Sequence, residues 1–153
     1  MDAIFTALEA YWDQCGIRPN AGATEAELEA HEAKYGLVLP DEMRAYFRAI
    51  NGMFSGPKWR SSMDDDLIRF YPLAECRPLD VEWPDSGAPD AGSILCFADY
   101  SIWCWGYGAR LSREAGRGPV HVLYGPETVQ VADSFREFLE SYLRRDYTVT
   151  FPR

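Results

Sequence analysis

Long apolar runs are what this 153-residue chain most plainly lacks. No stretch approaches the roughly 18–20 residues that a membrane-spanning helix needs. The chain opens Met1-Asp2 and carries Glu9 and Asp13 in its first helical stretch, so no signal peptide is expected and the cytoplasm is the expected compartment. Basic charge is also scarce: Lys and Arg total 15 against 24 acidic residues, a formal net charge of −9 and a pI near 4.7. Direct nucleic-acid binding, which concentrates Lys and Arg on one face, is therefore disfavoured. An acidic surface suits a basic partner, and it also serves solubility alone.

Metal-site and nucleophile patterns are missing as well. Cys15, Cys76, Cys96 and Cys104 include no C-x-x-C pair, and the only histidines, His31 and His121, lie far from them in sequence. Zinc sites usually draw on two closely spaced pairs, so four reduced thiols, buried on a helix and on strands, are expected, with no metal and no cofactor. Cys96 and Cys104 would face each other across a hairpin if its turn were Asp99-Tyr100-Ser101. Neither histidine stands in a nucleophile motif, which leaves no acid–base–nucleophile set for catalysis. His31 reads as a partly buried packing residue, and His121, between Val120 and Val122, as facing solvent or the sheet margin. Gly106-Tyr107-Gly108-Ala109-Arg110 has no Lys-Ser or Lys-Thr after it and is not a phosphate cradle.

What is present is a hydrophobic fraction of 47% and an aromatic fraction of 14%, enough for a core in one domain over 1–153. Ile4, Leu8, Tyr11, Trp12 and Cys15 mark an amphipathic first helix. Thr24 and Glu27 have the spacing of a capping box, Gly36 suits a left-handed stop, and Pro40-Asp41-Glu42 suits a new helix start. Met43, Tyr46, Phe47 and Ile50 then form one apolar stripe, ended by Asn51-Gly52.

Strands are expected over Leu67–Leu73, Ser93–Ala98, Ile102–Tyr107, Pro119–Tyr124 and Thr128–Val131. Trp103, Trp105 and Tyr107 would then share one sheet face. Ser134 and Glu137 open a last helix with Phe135, Phe138, Leu139, Tyr142 and Leu143 on its apolar side; Tyr147–Phe151 alternates like an edge strand. The order predicts an α+β fold: N-terminal helices, a central, mostly antiparallel sheet of about four to six strands, and a C-terminal helix.

These motifs carry a family resemblance. A helix with Glu32 and Gly36 before Leu39-Pro40, then a helix ending Asn51-Gly52, resembles the N-terminal signature of the SUKH superfamily. Phe97–Tyr107 resembles the central hairpin of its bacterial members, and Val131–Leu139 their closing strand-to-helix step. The superfamily contains Smi/Knr-type cell-wall regulators of yeast and many bacterial immunity proteins. The resemblance implies a non-catalytic binding module, in its most specific form an immunity protein that occludes a polymorphic toxin, with a basic nuclease as the partner that the charge would suit. An adaptor or regulator without a toxin is the alternative, and an enzyme the least favoured class.

Two long irregular segments combine aromatic and charged side chains: Trp59, Arg60, Asp64, Asp65 and Asp66 on the first, Glu82, Trp83 and Asp85 on the second. Such combinations suit interface anchors, and these residues are the expected partner surface.

Overall fold

The computed structural model describes residues 1–54 and 62–152. Three helices come first: α1 (Ala3–Gln14), α2 (Glu25–Tyr35) and α3 (Asp41–Ala49). The capping box at α2 is complete: the Glu27 amide donates to Thr24 Oγ1 and the Thr24 amide to Glu27 Oε2, each at 3.1 Å. Gly36 ends α2 in the left-handed region at φ 66°. The Glu32 carboxylate then fastens the corner. It accepts the Leu39 amide at 2.7 Å and pairs with Arg44 of α3.

One antiparallel sheet follows, in the order β1 (Ile68–Phe70), β3 (Ile94–Tyr100), β4 (Trp105–Arg110), β5 (Val120–Leu123), β6 (Thr128–Ala132). The two-residue strand β2 (Arg77–Pro78) pairs with the early part of β3, beside the stretch that β1 pairs with. Helix α5 (Phe135–Leu143) starts at Ser134, whose hydroxyl accepts the Glu137 amide at 3.1 Å. The architecture is α+β, as the order of patterns implies. On the helix side, Trp12 of α1 packs on Phe70, and Phe135 and Phe138 of α5 pack on Phe97. The segment between β2 and β3 is more ordered than its prolines suggest, holding the one-turn helix α4 (Leu79–Glu82) and a 3-10 turn at Ala91–Ser93.

Four expectations are corrected. The hairpin turn is Ser101–Cys104, because Asp99 and Tyr100 continue β3; the buried Asp99 carboxylate accepts the Tyr71 hydroxyl at 2.5 Å. Cys96 therefore stands opposite Gly108 and not Cys104, and no cross-strand disulfide register exists. Tyr147–Thr150 is a one-turn helix, α6, because the Asp146 carboxylate caps it by accepting the Thr148 amide at 3.1 Å. His121 lies inside, at 8% exposure, on the sheet face away from α5. Burial pushes its pKa down, with the Arg110 charge adding to the effect.

Candidate partner surface

The acidic loop is built around an inward carboxylate. Leu67 enters β1 at φ 65°, and the turn before it closes with the Leu67 amide on the Asp64 carbonyl at 3.0 Å. Asp64 Oδ1 accepts the amides of Asp66 at 2.8 Å and Ile68 at 3.0 Å, as a short acidic side chain does in tight turns. Its Oδ2 accepts the Tyr142 hydroxyl, which itself accepts the Trp12 indole N–H at 3.1 Å. At 3% exposure Asp64 pins the loop to α1 and α5 and is not surface. The three carboxylates thus point different ways, since consecutive residues in a turn must. Asp65 faces solvent; Asp66, half-buried, lies 3.8 Å from the Arg145 guanidinium and 3.3 Å from the Tyr147 hydroxyl. Trp59 and Arg60 lie outside the described residues.

The second loop hangs on α4, whose Leu79 is fully buried. The Trp83 amide returns to the Leu79 carbonyl at 2.8 Å and leaves the indole over Gly125, where a Cβ would stand 3.3 Å from the ring. Glu82 turns towards Arg77, with 2.8 Å between carboxylate and guanidinium, and Asp85 is exposed.

What joins the two loops is the β3–β4 hairpin tip. The Ser101 amide donates to the Leu67 carbonyl at 2.9 Å, tying the tip to the acidic loop. Trp103 meets Trp83 edge-on, ring centroids 6.1 Å apart and planes at 76°, tying it to the second loop. Between these ties Ser101, Ile102 and Trp103 take φ 48°, 55° and 62°, three consecutive left-handed residues without a glycine. Such backbone is costly for a β-branched residue and persists only where its surroundings over-determine it. The result is Ile102 presented at 77% exposure beside Trp83 at 37% and a cleft of about 260 Å³ lined by Glu82, Trp83 and Trp103. Trp103 leaves the expected aromatic row for this reason: the left-handed turn swings it onto Gly106, where a Cβ would sit 2.5 Å from its ring. Leu67, Ile102 and the pairing of Trp103 with Trp83 went unread in the sequence, because an isoleucine in a turn reads as strand.

The rest of the site is charge. Among the described residues no ion pair involves Asp65 or Asp85, and both residues are exposed. His31 is engaged structurally, its Nε2 lying 2.8 Å from the Cys76 carbonyl, with burial lowering its pKa.

The model of the SMI1 / KNR4 family (SUKH-1) matches residues 22–141. The chain belongs to this family. The match takes in α2, α3, the whole sheet, both loops and the hairpin tip, and stops short of α1 and α6. No individually curated protein matches the sequence. Family membership supports, in general terms, a module of immunity-protein type that binds another protein. No helix among the described residues is long and apolar enough to cross a membrane.

Proposed function

We propose that this SUKH protein is a non-catalytic binding module, an immunity protein that neutralises a polymorphic toxin in the cytoplasm by covering it. The supporting observation is the hairpin tip that joins the two aromatic and acidic loops. Exposed apolar side chains at Ile102 and Trp83, and the acidic residues Asp65, Asp66 and Asp85 on the two loops tied to the tip, suit an interface of apolar anchors with a charged rim. Exposed carboxylates at Asp65 and Asp85 and a net charge of −9 suit a toxin with a basic surface, such as a nuclease that must itself attract phosphates. The two histidines are committed to the interior and to a backbone carbonyl, which fits a protein without turnover.

The test starts with a pull-down from the native cytoplasm read by mass spectrometry, then surface plasmon resonance on the captured toxin domain at two salt concentrations. Asp65→Asn and Asp85→Asn should slow association chiefly at low salt, because steering precedes contact. Trp83→Ala should speed dissociation and cost about 2 kcal/mol or more. Wild-type kinetics for all three folded variants would sink this surface. A captured partner with no toxin activity would move the reading to an adaptor of the Smi/Knr type.

A further inference from the structure

On the helix side of the sheet, Tyr100, Trp105 and Tyr107, with Tyr124 just beyond β5, form a continuous aromatic platform. Trp105 stacks on Tyr100 at 4.4 Å and tilts against Tyr124 at 5.6 Å. The segment Tyr147–Pro152 lies on it. Its mode of attachment is that of a bound peptide rather than of a core helix. The Tyr107 hydroxyl donates to the Thr150 carbonyl at 2.5 Å and the Tyr124 hydroxyl to the Pro152 carbonyl at 2.8 Å, so two platform side chains read main chain. The Trp105 indole N–H donates to the Tyr107 hydroxyl at 3.1 Å and holds that reader in place. One side chain is taken up as an anchor: Phe151 meets Tyr100 edge-on at 4.9 Å and Trp105 at 5.8 Å. Main-chain hydrogen bonds for affinity and a pocket for one side chain are how peptide-binding domains hold their ligands.

The occupant is a short element that packs on α5 and β6 as well as on the platform, with Thr150 buried. Helix α6 is a single turn of 4 residues, far below the length at which a helix stands alone. Arg145, which leads into it, sits at φ 55°. Beyond the platform, Tyr147 reaches Asp66 only through long 3.3 Å hydrogen bonds.

We propose that the platform of Tyr100, Trp105, Tyr107 and Tyr124 is a second, peptide-binding site, occupied by this chain's own Tyr147–Pro152 as a displaceable resident. In trans it takes a segment of another protein bearing Phe-Pro: the phenyl ring packs edge-on against the stacked Tyr100–Trp105 pair, as Phe151 does, and the two tyrosine hydroxyls take the carbonyls on either side. Resident and ligand exclude each other, so the site is read only when α6 lifts.

Two measurements on the full chain test this. The first is native-state hydrogen exchange at the amides of Val149, Thr150 and Phe151, which donate within α6. They should exchange through a local opening, about 100-fold or more faster than amides of α5 and β4 and insensitive to low denaturant. Exchange only through global unfolding would make the segment a fixed part of the core and overturn the proposal. The second is titration of the peptide acetyl-Thr-Phe-Pro-amide into full-length Phe151→Ala, followed by the NMR shift of the Trp105 indole N–H. Saturable binding is expected, about tenfold or more tighter than to the wild type, where the resident competes. A folded variant that does not bind this peptide, or binds acetyl-Thr-Ala-Pro-amide equally well, overturns the proposal. If Phe151→Ala does not fold, the wild-type exchange result alone decides.

Discussion

Asp64 shows how far one carboxylate can serve a fold while reading as surface. Its two oxygens take the Asp66 amide, the Ile68 amide and the Tyr142 hydroxyl, and removing them leaves three donors, two of them in buried bonds, without that acceptor. Asp64→Ala should therefore cost about 3 kcal/mol, whereas Asp64→Asn keeps one oxygen for the two amides and should cost about 1 kcal/mol near neutral pH. The pH dependence separates the two effects. Burial raises the Asp64 carboxyl above its ordinary 3.8, outweighing the hydrogen bonds from Tyr142, Ile68 and Asp66. The folded protein then holds that proton more tightly than the unfolded chain does. The stability it gives is complete below the unfolded value and is lost as pH rises through the folded one. Asparagine has no proton to lose, so the deficit of Asp64→Asn against the wild type should shrink as pH rises through the acid range. Urea midpoints measured over that range check it; a deficit that grows with pH would mean the folded carboxyl is held below 3.8, not above. Nothing in the run Asp64-Asp65-Asp66 marks one acid as buried. Its partner Tyr142, and Trp12 behind that hydroxyl, are remote in sequence, and only the tertiary fold brings them in.

Elements were legible where their chemistry is local. Thr24 with Glu27, Gly36, and Pro40 followed by two acids write out the α2–α3 corner within a few residues of one another, and the helices begin and end within a residue or so of those signals. The hairpin was legible as a hairpin but not in register. Its tip, Ser101-Ile102-Trp103-Cys104, carries apolar and β-branched residues that belong by propensity to strands, while the buried Asp99 looks like a turn residue. Tyr147–Phe151 misled in the same way: its alternation promises a strand, but no free strand edge receives it, and the Asp146 cap closes a helical turn. The strain at the tip has a measurable consequence. Ile102 holds φ 55° and buries little of its side chain, so a glycine there relieves the left-handed cost of about 1–2 kcal/mol. Part of that gain goes to the larger entropy of the unfolded chain. Ile102→Gly should stabilise the fold by about 0.5–1 kcal/mol and raise Tm by a few degrees, while weakening binding of the proposed partner. A lowered Tm would mean that Ile102 packs on the tip and is not presented by it.

At the scale of the whole molecule, the four thiols report on how the parts are layered. Cys76 and Cys96 are fully buried, Cys15 is half-buried at the C-terminal cap of α1, and Cys104 is exposed at the hairpin tip. Burial pushes the thiols of Cys15, Cys76 and Cys96 up, which suppresses the thiolate that does the reacting. The antiparallel register sets Cys96 opposite Gly108, inside the hairpin and away from the tip that carries Cys104. Reaction of the native protein with an aromatic disulfide reagent should therefore come in steps. Cys104 is modified at once and Cys15 more slowly, through local motion of α1. Cys76 and Cys96 react only as fast as the whole sheet opens, so their rates should follow global stability across denaturant concentrations. Mild oxidation without reagent should then link chains through Cys104 and leave Cys96 reduced. Peptide mapping under non-reducing conditions decides between the two hairpin geometries. A Cys96–Cys104 bridge within one chain would require the strands to slip into the register that a turn at Asp99-Tyr100-Ser101 predicts. That slip would carry Trp103 off Gly106 and Trp83 and dismantle the surface on which the binding proposal stands.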